Sequence, residues 1–413
     1  MPLAAQHARR VRRGGAKKVA RATKAQEANA TQISFASGTS ATNITFELYA
    51  NVIFVEVRVN DSAPLSFIFD TGAGINVLNA SRAADLRLAR ASVGVNAKGT
   101  GGTVAGSLAT GATISLPGVS VRGQRIAVLP LQSLEPRVGR RVDGILGYDF
   151  IREFVTEIDY ERKLISLHDP RTYRPALRGT VVPFDLRRGT PYVNTTIYLS
   201  NSDRVNGEFE IDTGSDSALG IYDYFVKAHG LRRRLPRVSG PQAGEGIGGE
   251  TSYVEARVKS FRLGRYSIEH PVVGLSQGDN EGSGGRPEYD GTIGTEVFRR
   301  FHVVIDYTRR RLALAPNAHF REPYETDMSG IDLIAEGEDF RAFRIAGITP
   351  ATPASEAGVR AGDVLTEIDG RAASSFTLDE ITQMFARAGR VYALTLRRGD
   401  ETLRVSIKLR RMI

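Results

Sequence analysis

One stretch of this 413-residue chain occurs twice, and the repeat limits the fold more than any other feature. Phe67-Ile68-Phe69-Asp70-Thr71-Gly72-Ala73 returns as Phe209-Glu210-Ile211-Asp212-Thr213-Gly214-Ser215. Each copy is an apolar, β-favouring run that ends in a carboxylate and a turn. Two more landmarks repeat behind them. Val142-Asp143-Gly144-Ile145-Leu146-Gly147 is answered by Tyr289-Asp290-Gly291-Thr292-Ile293-Gly294. Glu157-Ile158-Asp159-Tyr160-Glu161 is answered by Val304-Ile305-Asp306-Tyr307-Thr308. Asp70 and Asp212 are 142 residues apart, and the other two pairs of aspartates are each 147 apart. Three offsets that agree this closely describe a duplicated, domain-sized unit, since solenoid periods are far shorter.

The duplication has a chemical consequence. If the halves pack about an approximate twofold axis, each Asp-Thr-Gly loop meets its mate there. Two carboxyls at hydrogen-bond distance do not both ionise readily, so they share one proton. The ionised member can then act as a general base on water and the neutral one as a general acid. Thr71 and Thr213 are placed to bond across the axis. Gly72 and Gly214 allow the backbone close to the carboxyls. Ser215 offers Asp212 a hydroxyl, whereas Ala73 offers Asp70 none, which predicts a lopsided pair.

Composition narrows the alternatives. The chain has no cysteine, which excludes disulfides, thiol nucleophiles and cysteine zinc sites. Its six histidines include no i, i+4 pair and no His-Glu-x-x-His run, so no metal is expected. The net charge of +9 is concentrated at the start, where residues 1–30 hold eight Arg/Lys against the single acid Glu27. That composition describes a solvated arm, available to an anionic surface, and a nearly neutral body from which no nucleic-acid binding is expected. No apolar run follows the arm, so neither a signal-peptide core nor a membrane-spanning helix is expected in the chain as given.

The order of elements supports a mainly β reading. A strand from Val52 turns at Asn60–Pro64 into Leu65–Phe69. A short helix is expected over Ala80–Leu88 behind Asn79. Gly-rich hairpins at 94–107 and 240–249 read as mobile flaps, with Gly101, Gly102, Gly246, Gly248 and Gly249 at their tips. A polar Gly/Ser loop is expected at 277–285. The domain boundaries follow: a disordered arm over 1–43, lobes over 44–174 and 175–316, a linker over 317–327, and a third unit over 328–413. Gly274-Leu275-Ser276-Gln277-Gly278 fits the Gly-x-Ser-x-Gly pattern of hydrolases but lacks the helix that must follow the serine.

Asp-Thr-Gly-Ala and Asp-Thr-Gly-Ser, with Ile145-Leu146-Gly147 and Thr292-Ile293-Gly294 downstream, resemble the motifs of pepsin- and retropepsin-type aspartic proteases over about residues 46–316. The resemblance implies a two-lobed β-barrel protease with pseudo-twofold symmetry, acting on peptide or protein substrates without a cofactor, with Asp70 and Asp212 catalytic. Asp216 is then a contact for substrate backbone or a turn cap. Bacterial single-chain relatives imply export to an extracytoplasmic, periplasmic space. Pepsins carry a tyrosine on the first flap, and residues 94–107 contain none, which is closer to the retropepsin pattern.

Residues 326–413 resemble a small α+β PDZ domain through Ser355-Glu356-Ala357-Gly358-Val359-Arg360-Ala361-Gly362-Asp363-Val364-Leu365 and Ile368-Asp369-Gly370. That likeness implies a peptide ligand, a carboxylate-binding loop at Met328-Ser329-Gly330-Ile331, and a peptide strand added beside Ile331 and Leu333. The competing reading is a non-catalytic peptide-binding protein, with duplicated lobes as scaffold and the third unit as the binding module.

Overall fold

The computed structural model describes residues 31–86, 88, 90–175, 179–278 and 290–413. The basic arm at 1–30 and the loop residues 279–289 lie outside that set.

The duplication is visible strand by strand. In the first lobe Val52–Val59 pairs antiparallel with Leu65–Phe69, placing Phe54 opposite Ile68. Leu65–Phe69 then runs parallel to Gly144–Leu146, with Phe69 opposite Leu146. Gly144–Leu146 is antiparallel to Asn76–Asn79, which runs parallel to Val119–Leu129. The second lobe repeats each relation. Thr190–Tyr198 is antiparallel to Arg204–Ile211, which runs parallel to Gly291–Ile293, with Ile211 opposite Ile293. Gly291–Ile293 is antiparallel to Leu219–Ile221, and that strand is parallel to Val272–Gln277. Alternation puts Val55, Val57 and Val59 in the core while Glu56 and Arg58 face out.

A six-stranded sheet joins the lobes. Val155–Asp159 of the first pairs antiparallel with Phe301–Asp306 of the second, so the two repeated Asp-Tyr hairpins meet directly. Ser40–Thr45 forms one edge of this sheet and Thr180–Pro183 the other. This corrects the arm boundary: within residues 1–43, expected to be disordered, Gln32–Phe35 pairs with Val119–Leu129, and the strand Ser40–Thr45 begins against Leu164–His168. Only Ala41 and Ile44 in the second strand are buried, and a bulge interrupts its register, so no sustained periodicity marks it.

The helix expected over Ala80–Leu88 is a single 3₁₀ turn, Ala80–Arg82, capped by Asn79. Its stretch buries two apolar side chains, Ala83 and Leu86, too little for a short helix to gain stability from packing.

The third unit is a sheet ordered Ile331–Glu336, Ala342–Ile348, Val364–Ile368, Val391–Arg398 and Glu401–Lys408. Phe340, just before the second of these strands, closes a turn onto Gly337 with φ of 56°. The helix Leu378–Phe385 starts on a capping box between Thr377 and Glu380, and Ile381 and Phe385 enter the core. Segment 317–327, expected as a polar linker, is held to the second lobe. Arg300 is fully buried and donates to the carbonyls of His319, Glu322 and Pro323, and its guanidinium stacks on Tyr324 at 3.7 Å. A buried arginine that satisfies three carbonyls makes this segment a bracket between lobe and third unit.

Candidate active site

Both Asp-Thr-Gly loops leave the ends of equivalent strands. Asp70 N–H donates to Leu146 O and Asp212 N–H to Ile293 O, each at 3.0 Å. The threonines then lock the loops to each other. Thr71 Oγ1 donates to Ile211 O at 2.6 Å and accepts from Thr213 N–H at 3.1 Å. Thr213 Oγ1 donates to Phe69 O at 2.8 Å and accepts from Thr71 N–H at 3.1 Å. Both threonines are fully buried, so these four bonds do not compete with solvent.

Each carboxyl rests in its own loop and against the other. Gly72 and Ala73 N–H groups donate to Asp70 Oδ1 at 2.7 and 3.1 Å, and Gly214 N–H donates to Asp212 Oδ1 at 2.9 Å. A Cβ on Gly72 would lie 2.8 Å from the Asp212 carboxyl carbon, and one on Gly214 would lie 2.5 Å from that of Asp70. Any side chain there would force the carboxyls apart. The two carboxyls hydrogen-bond to each other.

Burial shifts both carboxyls in the same direction. Both open onto the cleft, yet surrounding protein desolvates them. Asp212 is pushed well above the usual carboxylate range by desolvation and then by the charge of Asp70. Desolvation also raises Asp70, against the opposing pull of the Gly72 N–H and of a bond from Asp212. Each carboxyl is thus held above its ordinary value, and the two share one proton in a pair that titrates as one unit. Ser215 takes part through its backbone N–H. Its hydroxyl, expected on Asp212, lies 3.0 Å from Ser217 Oγ, because Ser217 returns to the same face two residues on.

Sequence reading missed a third acid. Glu210 is 9% exposed and lines the cleft two residues before Asp212. Its counterpart in the first lobe is Ile68. Burial, then the charges of Asp212 and Asp70, push Glu210 well above the usual carboxylate range. The available signal was strand periodicity: residues i and i+2 share a face, so an acid beside Asp212 in register belongs to the same floor.

The flaps meet tip to tip. The first is the hairpin Arg90–Lys98 with Thr103–Leu116, and the second is Gln242–Gly246 with Gly249–Arg257. Gly101 N–H donates to Ile247 O at 3.1 Å. A Cβ on Gly101 would overlap the backbone of Gly249, and one on Gly248 that of Gly102. Gly101, Gly102, Gly248 and Gly249 thus make the flap-to-flap contact, while Gly246 lines the cavity beside Gly99 and Thr100. Ile247 reaches across to the apolar cluster of the first lobe.

The cavity beneath the flaps holds about 1990 Å³. Asp70 and Asp212 lie on its floor, and exposed Asp216 lies at its side with its carbonyl 3.5 Å from Asn51 Nδ2. Gly330, Ile331 and Leu333 of the third unit line the same cavity. Ser276 of the Gly-x-Ser-x-Gly match sits inside the strand Val272–Gln277, so no helix follows it directly. Among the described residues, no group of three or more His, Cys, Asp or Glu side chains is arranged to hold a metal ion.

Residues 55–150 match the family described as Aspartyl protease, and residues 329–409 match the family described as PDZ domain. No curated protein matches the chain. The chain thus carries an aspartyl protease domain and a C-terminal PDZ domain.

Proposed function

We propose that this chain, built from an aspartyl protease domain and a PDZ domain, is an endopeptidase that hydrolyses peptide bonds with one carboxyl from each lobe. The observation that carries this reading is the hydrogen-bonded pair Asp70–Asp212, each member held by its own loop's N–H groups and pressed against the other loop's glycine.

Asp70, ionised, takes a proton from a water molecule as its oxygen attacks the scissile carbonyl carbon. Asp212, neutral, gives its proton to the carbonyl oxygen, so the tetrahedral intermediate forms as a neutral gem-diol. In collapse, the proton on Asp70 passes to the amide nitrogen and the C–N bond breaks. Asp212 recovers a proton from one hydroxyl, and the new carboxyl and amine leave. Protons and electrons balance within the dyad, and no covalent intermediate is formed. The fixed loops orient the carboxyls for the water nucleophile. Closure of the flaps keeps bulk water from the intermediate.

The test is incubation of the full chain with an unstructured polypeptide from acidic to neutral pH, with fragments identified by mass spectrometry. Internal cleavage that a statine-type inhibitor suppresses is the expected result. Absence of cleavage across that range would leave a peptide-binding protein as the better account.

A further inference from the structure

Each lobe presents one row of its sheet to the cleft, and the two rows differ. Residues opposite one another on neighbouring strands share a face. In the first lobe the row runs Phe54, Ile68, Ile145, Val77, Ala127. All five belong to one packed apolar cluster, and Ile68, Ile145 and Val77 face the cavity. In the second lobe the matching row runs Tyr192, Glu210, Thr292, Gly220, Gly274 and ends on Glu255. All six line the cavity. Thr292 stands where the first lobe has Ile145, Gly220 where it has Val77, and Gly274 where it has Ala127. Each exchange removes apolar side chain, so a trough replaces a filled wall.

A carboxyl stands at each end of that trough. Strands lie about 4.8 Å apart, so Glu210 and Glu255 bound at most roughly 19 Å of sheet. Backbone geometry does not require glycine at 274, where φ is not left-handed and an added Cβ would find its nearest described neighbour, Tyr253, at 3.7 Å. Its smallness therefore serves the open space above it. The partners of both acids are neutral. Glu210 shares a bond with its cross-strand neighbour Tyr192, and Glu255 accepts from Gln242 Nε2 at 3.1 Å and from Thr326 Oγ1 at 2.8 Å. Asp327 on the same wall is committed differently, capping the N–H groups of Ser329 and Gly330. Burial holds Glu210 and Glu255 above the usual carboxylate range, and a cation placed beside them offsets that desolvation.

We propose that the second-lobe trough is a subsite for a lysine or arginine side chain next to the scissile bond, so that the enzyme cuts between one apolar and one basic residue. This rests on the proteolytic reading of the cleft. The approximate twofold axis passes between Asp70 and Asp212, so the residues on either side of the bond meet equivalent rows, one in each lobe. The first-lobe row receives the apolar side chain. The trough receives a long aliphatic stem over Gly220 and Gly274, with its charge on Glu210 and Glu255 closing the far end.

The experiment gives the full chain fluorogenic peptides that differ only in the two residues flanking the bond: Leu–Leu, Leu–Lys and Lys–Leu. One of the mixed pairs is expected to be cut with kcat/KM at least about tenfold above Leu–Leu. Glu210→Gln keeps the shape and removes the charge, and Gly274→Leu fills the trough; each is expected to bring that ratio close to one. The ratio compares substrates on one enzyme, so a general loss of activity in a variant leaves it readable. Leu–Leu cut as well as both mixed pairs by the wild type, or a ratio that survives in both variants, would overturn the proposal and leave the proteolytic reading intact. If no peptide is cut, that reading fails, and fluorescence anisotropy of the same labelled peptides still decides about the trough. Tighter binding of a mixed pair that Glu210→Gln loses supports it, and equal binding of all three overturns it.

Discussion

The two lobes carry the same backbone and different floors. Strand pairings, N–H bonds to the aspartates and threonine contacts all repeat across the axis. Side chains next to the carboxyls do not. Where the first lobe has Ile68, the second has buried Glu210, and where the first has Ala73, the second has Ser215 on Ser217. Identical backbones place two equivalent carboxyls at contact. Chemistry that needs one of them neutral and the other ionised then depends on what surrounds each. Duplication supplies the geometry and divergence supplies the polarity.

The flaps are the feature whose symmetry can be broken with the largest effect. Gly101→Val places a side chain in the backbone of Gly249, so the tips must separate. A fall of about 10²-fold in kcat/KM for a fluorogenic peptide is expected, as for other displacements of about 1 Å near reacting groups. Unchanged turnover would mean that tip contact is not required.

Glu210→Ile makes the two floors alike. Glu210 holds its proton more tightly in the folded chain than in the unfolded one. Its contribution to stability is therefore greatest below the ordinary carboxylate range and is lost as pH rises. The variant should melt about 2–4 °C higher at neutral pH, corresponding to about 1 kcal/mol. It should also lose about tenfold in selectivity for Lys or Arg over Leu beside the scissile bond, because a buried acid is the natural partner of a cationic side chain there. Equal selectivity in both proteins would remove Glu210 from substrate recognition.

The seam between the lobes has its own asymmetry. Glu157 of the first lobe bridges His168 of that lobe at 3.3 Å and His302 of the second at 2.7 Å. The bonds from His168 and His302 hold Glu157 down at about 2, and the bond to Glu157 raises His302. Glu157 stabilises the fold above its unfolded value of 4.5, and that contribution is lost as pH falls toward 2. His302 stabilises it below 6.5, and that contribution is lost as pH rises through its raised value. The melting temperature should therefore be highest between 4.5 and 6.5, and Glu157→Gln should flatten the profile by about 2–4 °C. A profile that keeps its shape in the variant would place the pH dependence elsewhere.

The smallest effect is expected from Ala73→Ser. Position 75, the counterpart of Ser217, is Ile, so a new hydroxyl at 73 has no serine partner and is available to Asp70. Donation to the ionised form lowers its pKa, and the acid limb of the activity profile should move down by less than about one unit. A profile identical to wild type at every pH contradicts this.

Much of the site was legible because it is written twice. Asp70, Asp212 and their threonines and glycines are contiguous in sequence, and the repeat alone pairs them. Contacts made at long range were not. Ser40–Thr45 is a strand because the edge of the lobe-joining sheet receives it, not because its own pattern requires it. The Arg300 bracket and the Asp327 cap are side-chain bonds to backbone, which leave no periodic trace. Glu210 was visible in the repeat itself, and only the strand's two-residue period tells that it shares a face with Asp212.

The central claim is that two lobes contribute to one site. Its most direct test is kcat/KM for Asp70→Asn, Asp212→Asn and the double variant, on one peptide at the wild-type optimum. Groups that act as a unit lose their effect together, so each single variant should fall by about 10²–10⁴-fold or more, and the double by no more than the worse single. Near-wild-type turnover in either single variant, or losses that multiply in the double, would contradict a shared dyad.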